Sequence, residues 1–129
     1  MARAGTVARM QRRILIIEDD AEIRGALADA MRGSGAEVVV AADGVDGLER
    51  LRTGPCPAVV LLDLRLPRVG GQDFLDLLRS DARFEHLPVI TMTAGPGRPE
   101  SDDLVAGLSR PVDVEDLRRI VESLFEAAA

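Results

Sequence analysis

The stretch "AVVLLDLRLPRVGG", residues 58–71, runs five apolar residues into Asp63 and then into a loop marked by Pro and Gly. An unbroken apolar run of this length is the pattern of a strand covered on both faces. An isolated carboxylate buried in such a strand would be strongly penalised or driven to take up a proton. Asp63 therefore belongs at a strand end, on a rim that water and a cation can reach.

The same logic extends in both directions. "ILII" (14–17) reads as a first buried strand, "EVVVA" (37–41) as a second and "AVVLL" (58–62) as a third. "LPVITMT" (87–93) is the fourth, and Leu108 lies in a short fifth strand ending near Ser109. Between the strands, apolar residues recur at helical spacing: Ile23, Leu27, Ala30 and Met31; then Val45, Leu48 and Leu51; then Phe74, Leu75 and Leu78. Asp20 is placed to cap the first helix, and Gly33 and Gly35 stop it. The closing helix carries Val114, Leu117, Ile120, Val121 and Leu124 on one face, with Asp113 as its cap. Segment 94–107, "AGPGRPESDDLVAG", has only a brief apolar tail, so the fourth helix of the alternation is short or irregular. Alternating strands and helices imply an α/β, doubly wound parallel sheet with helices on both faces.

Composition bounds the function. The chain has 129 residues, 47% hydrophobic, with three Phe, no Trp and no Tyr, so one aliphatic core is expected. No apolar run approaches the ~20 residues that cross a bilayer. One cysteine, Cys56 in the turn-rich "TGPCP", excludes an intrachain disulfide and fits a reducing cytoplasm. The net charge of −6 argues against direct nucleic-acid binding, and the chain carries no membrane signal. All sixteen basic residues are Arg. Arg3, Arg9, Arg12 and Arg13 read as a solvated N-terminal arm, and His86 as structural or solvent-facing.

Ligands of open parallel sheets bind outside the carboxyl ends of the strands. Glu18 and Asp19 follow the first strand there, and Asp63 follows the third. Three carboxylates brought together repel unless a cation intervenes, and a hard divalent ion such as Mg²⁺ suits an all-oxygen set. Thr93 ends the fourth strand with a hydroxyl, and Arg110 follows the fifth with a permanent positive charge. Carboxylates, hydroxyl and cation are the parts an aspartyl phosphate on Asp63 requires.

In this order the segments resemble the receiver domain of response regulators, the CheY-like phosphoacceptor module of two-component signalling, from about Arg13 to Phe125. "ILIIEDD" resembles its first strand and acidic pair. "VVLLDLRLPRVGG" resembles the phosphoacceptor segment, with Pro67 and Gly71 at the usual offsets, "PVITMTA" the fourth strand and "LSRPVDVEDL" the fifth-strand motif. The resemblance implies a sheet of order 2-1-3-4-5 and a receiver domain over 13–126, between a flexible arm at 1–12 and a tail at 127–129. It implies Mg²⁺ held by Glu18, Asp19, Asp63 and the Arg65 backbone carbonyl, and Asp63 phosphorylated by a histidine kinase or phosphotransfer protein. Output through protein contacts, from a stand-alone regulator or phosphorelay intermediate without an independent catalytic domain, is the expectation.

Three positions depart from the family pattern. Arg110 stands where Lys is usual, Gly107 stands where a switch aromatic is usual, and the connection between Thr93 and Arg110 is shortened. These departures define an alternative, a pseudo-receiver that binds partners without phosphorylation. A Mg²⁺-dependent phosphatase would want an acid two residues after the nucleophile, where this chain has Arg65.

Overall fold

Five short strands carry apolar side chains on both faces because helices cover the sheet on each side. The structure is a computed structural model and describes residues 12–66, 68–93, 104–109 and 112–128. In chain order the elements are β1 (Arg13–Ile17), α1 (Ala21–Gly33), β2 (Glu37–Ala41), α2 (Gly44–Thr53) and β3 (Val59–Asp63). They continue with α3 (Gly71–Arg79), β4 (Val89–Thr93), β5 (Leu104–Ser109) and α4 (Val114–Ala128). The sheet is parallel throughout, in the order β2-β1-β3-β4-β5. That is the doubly wound arrangement expected, with β1 and β3 adjacent.

Alternation along each strand divides the core in two. Ile14, Ile16, Leu61, Ile90 and Met92 face α1 and α4, where Leu27, Met31, Leu117, Val121 and Phe125 meet them. Leu15, Ile17, Val60, Leu62 and Val89 face α2 and α3, packing on Leu51, Phe74, Leu75 and Leu78. Helix starts follow the sequence. The Asp20 Oδ1 accepts the N–H groups of Glu22 and Ile23 at 2.9 and 3.1 Å, and the Asp113 Oδ1 accepts those of Glu115 and Asp116 at 2.9 and 3.2 Å.

Several local expectations need correction. Arg13 is not part of a solvated arm; it opens β1, is 8% exposed and pairs across to Glu37 at 2.9 Å. Arg12 lies over the Phe125 ring, 5.6 Å from its centroid. Ile23 and Val45 stand on the open sides of their helices rather than in the core. The strand after residue 103 is longer than expected: Leu104–Gly107, the apolar tail of segment 94–107, belongs to β5, which shifts register between Val89 and Ile90 of β4. The expected short fourth helix otherwise falls at 94–103, outside the described residues.

Two core positions generate measurable consequences. Thr91 is fully buried in β4 and its Oγ1 has no hydrogen-bond partner among the described residues. Burying such a hydroxyl unpaired costs about 1–3 kcal/mol. Thr91→Val removes the hydroxyl at nearly constant shape and is expected to raise the unfolding free energy by about 1 kcal/mol, read as a higher urea midpoint at unchanged slope. Gly71 begins α3 against the backbone of the preceding loop, where an added Cβ would stand 2.6 Å from the Leu64 Cα and 3.1 Å from the Asp63 carbonyl oxygen. Backbone cannot rotate away, so Gly71→Ala is expected to lower stability by about 1–3 kcal/mol in the same titration.

Candidate functional site

Neighbouring parallel strands end level with one another, and β1 and β3 therefore deliver their following residues to one place. Asp63 is the last residue of β3, in register with Met92 of β4. It is 2% exposed, yet it lines an open cleft of about 300 Å³ with Asp19, Asp20, Ile23 and Arg65. Its Oδ1 accepts the Arg65 N–H at 2.9 Å, the short-range bond that a carboxylate two residues before an amide can make in a tight turn.

Glu18 and Asp19 divide the work of one dipeptide. Glu18 is completely buried, while Asp19 is exposed to the cleft. The Glu18 N–H donates to the Ala41 carbonyl at the end of β2, which carries the strand direction one residue further. Its Oε2 accepts the Asp20 N–H at 3.4 Å, and its carbonyl oxygen accepts from Arg24 Nη1 at 2.9 Å. One carboxylate oxygen from each of Glu18, Asp19 and Asp63 falls within 4.8 Å of the other two. The donor set is entirely oxygen, with two ligands backed by the sheet and one facing water. That chemistry fits a hard divalent cation, which takes carboxylate oxygens and retains waters that a phosphate can replace.

The other expected site residues are placed less completely. Thr93 ends β4 and is in register with Ser109, so the backbone reaches the same edge of the sheet; its side chain lies outside the described residues. Arg110 directly follows Ser109 and also lies outside them, as does Pro67. Gly107 pairs with Thr91 inside β5, two residues before that edge. His86 is remote, between α3 and β4, with its side chain 92% exposed beside Glu85. Cys56 lies between α2 and β3, and partial burial raises its thiol pKa, the opposite of what an activated nucleophile needs.

Sequence reasoning missed three contributors. Asp20 appeared only as a cap and Ile23 only as a core residue, yet both line the cleft. Their signal is their place in the first turn of the helix that follows an acidic strand end. Arg24 holds the Glu18 carbonyl, a contact that helical spacing alone does not announce.

Known proteins share both the segments and the fold. The family description "Response regulator receiver domain" matches residues 14–122. Response regulator Rre1 of Synechocystis is 33% identical over 121 residues, covering 87% of this chain and 51% of that protein. The phosphate regulon transcriptional regulatory protein PhoB of Klebsiella pneumoniae is 36% identical over 104 residues, covering 81% of this chain and 44% of that protein. The chain thus spans about half the length of these relatives. Among solved structures, a sensor protein from Polaromonas sp. JS666 superposes with a TM-score of 0.81 at 25% identity, covering 91% of this chain and 98% of its own. The chemotaxis response regulator CheY4 of Vibrio cholerae shares the fold at a TM-score of 0.77 and 20% identity, covering 87% of this chain and 97% of its own. No helix among the described residues is long and apolar enough to cross a membrane. With a matched span that takes in the acidic cleft and every paired residue of β1 and β3, the chain belongs to the response regulator receiver domain family of two-component systems.

Proposed function

We propose that the chain is a phosphorylation-controlled receiver in which Asp63 accepts a phosphoryl group and Glu18, Asp19, Asp63 and the Arg65 carbonyl hold Mg²⁺. The observation that carries this reading is the convergence of carboxylate oxygens from Glu18, Asp19 and Asp63 within 4.8 Å of one another, with Asp19 and Asp63 lining an open cleft. A histidine kinase or phosphotransfer protein is the donor. An Asp63 carboxylate oxygen attacks the phosphorus of a phosphohistidine; the new P–O bond forms as the P–N bond breaks, and the imidazole leaves with the electron pair and takes up a proton. Bound Mg²⁺ supplies positive charge against the phosphoryl oxygens.

The chain's own groups supply the rest. The Arg65 N–H on Asp63 Oδ1 fixes the carboxylate's orientation. By the resemblance, Thr93 contributes a hydroxyl, and Arg110, which follows Ser109 in sequence, a cation. Arg110 cannot lose its charge and favours planar, bidentate contacts, so it neutralises the acyl phosphate with a geometry different from that of a lysine. Phosphorylation then changes binding to a protein target in the cytoplasm. Arg65 occupies the place where a phosphatase acting through Asp63 would need an acid, which leaves that chemistry without its proton donor.

Two experiments test the reading. The wild type, incubated with acetyl phosphate and Mg²⁺, is expected to gain one phosphoryl group by intact mass, and to gain none without metal or as Asp63→Ala. In parallel, Mg²⁺ at ten times its dissociation constant should stabilise the wild type by about 1.4 kcal/mol and leave Asp19→Asn nearly unmoved. A folded, Mg²⁺-binding protein that acquires no phosphoryl group would favour the pseudo-receiver instead. Arg110→Lys addresses the departure directly: the half-life of the acyl phosphate is expected to change severalfold, and an unaltered decay would show that Arg serves as well as Lys.

A further inference from the structure

The loop after Asp63 is tied down at a point that the chemistry above does not use. Arg68 adopts φ +69°, a left-handed conformation that side chains bearing a Cβ hold only when their surroundings impose it. Its Nη1 donates to Asp43 Oδ2 at 3.1 Å. The next residue, Val69, sits so tightly on Gly44 that a Cβ there would stand 2.8 Å from the Val69 carbonyl oxygen. Asp43 is itself fixed, because its Oδ1 caps α2 by accepting the Asp46 N–H at 2.8 Å. Its side chain is only 14% exposed, against 64% for Arg68.

This contact ties the segment after β2 to the loop after β3. Asp43 lies two residues beyond Ala41, whose carbonyl accepts the Glu18 N–H. Arg68 lies three residues beyond Arg65, whose N–H orients Asp63. We propose that Arg68 and Asp43 form a latch that holds the Asp63 loop in its cation-binding geometry, making Arg68 a positioning residue for Mg²⁺ binding and for phosphoryl transfer. The inference rests on the reading of Asp63 as phosphoacceptor. A loop already ordered before the ligand arrives loses less conformational freedom on binding, so affinity and rate both gain from the latch.

The test uses the full chain as wild type, Arg68→Asn, Arg68→Lys, Asp43→Asn and the variant combining Arg68→Asn with Asp43→Asn. Asparagine tolerates the left-handed backbone at position 68, and Asp43→Asn keeps a side-chain oxygen for the helix cap. Mg²⁺ affinity is measured by calorimetry, phosphoryl uptake from acetyl phosphate by intact mass, and the metal-free thermal midpoint by circular dichroism. Arg68→Asn and Asp43→Asn are each expected to weaken Mg²⁺ binding and slow uptake by about threefold, the scale of an exposed ion pair. The double variant should be no worse than either single one, Arg68→Lys should restore most of the loss, and the metal-free midpoints should barely move. The latch is overturned by wild-type affinity in Arg68→Asn, by multiplying losses in the double variant, or by variants that melt earlier with affinity unchanged. A wild type that neither binds Mg²⁺ nor takes up phosphoryl overturns the underlying phosphoacceptor reading instead.

Discussion

Two buried carboxylates side by side at the ends of β1 and β3 are the constraint from which the rest of the molecule follows. Glu18 is fully buried and Asp63 nearly so, with ligand oxygens no more than 4.8 Å apart. At an effective dielectric of about 20, two unit negative charges at that distance repel by about 3–4 kcal/mol unless positive charge compensates them. A whole domain is stable by only about 5–15 kcal/mol, so repulsion on this scale is not idle. Backbone dipoles meet part of it, through the Arg65 N–H on Asp63 and the Asp20 N–H on Glu18. An open cleft beside the pair leaves room for a cation to meet more.

The sheet makes that arrangement tolerable by placing it where packing ends. Both cores are built on the two faces of the sheet, whereas the carboxylates stand at the strand ends, with Asp63 beside an open cleft. Gly71 lets α3 begin directly against Leu64, so the loop that carries Arg65 is short and closely backed. On the other side, the Asp20 cap fixes where α1 starts and therefore where the backbone of Asp19 lies. Short-range hydrogen bonds and one close backbone approach set the geometry of the acids.

The fold and most of the site are legible in the sequence for a physical reason. Strands buried on both faces show as unbroken apolar runs, so β2 was bounded to the residue and β1, β3 and β4 to within two residues. Glu18, Asp19 and Asp63 announce themselves because an acid ending an apolar run is out of place. What escaped depends on contacts between distant segments. Arg13 resembles its basic neighbours in sequence and is distinguished only by lying opposite Glu37 in the register. Ile23 fits the helical stripe, yet the stripe turns away from the sheet at the first turn of α1, where the cleft opens. Arg68 and Asp43 have no periodicity to betray them. Of segment 94–107, where a short or irregular fourth helix is expected, residues 104–107 lie in β5 and 94–103 fall outside those described.

Gly107 gives the molecule one more property that follows from its register. It faces Thr91 across β4 and β5, and the ladder then runs through Met92 opposite Leu108 to Thr93 opposite Ser109 at the edge of the site. A glycine has no side chain whose rotation could report on the cleft, so side-chain motion at 107 is excluded as a carrier of change. Thr91 brings a buried hydroxyl without a partner among the described residues to the same cross-strand pair, a small polar group where packing alone would favour an apolar one. Among the described residues, the backbone pairing of β4 with β5 joins this edge to the outer strand of the sheet. Thr93 and Ser109 close that ladder, and Arg110 follows Ser109 in sequence.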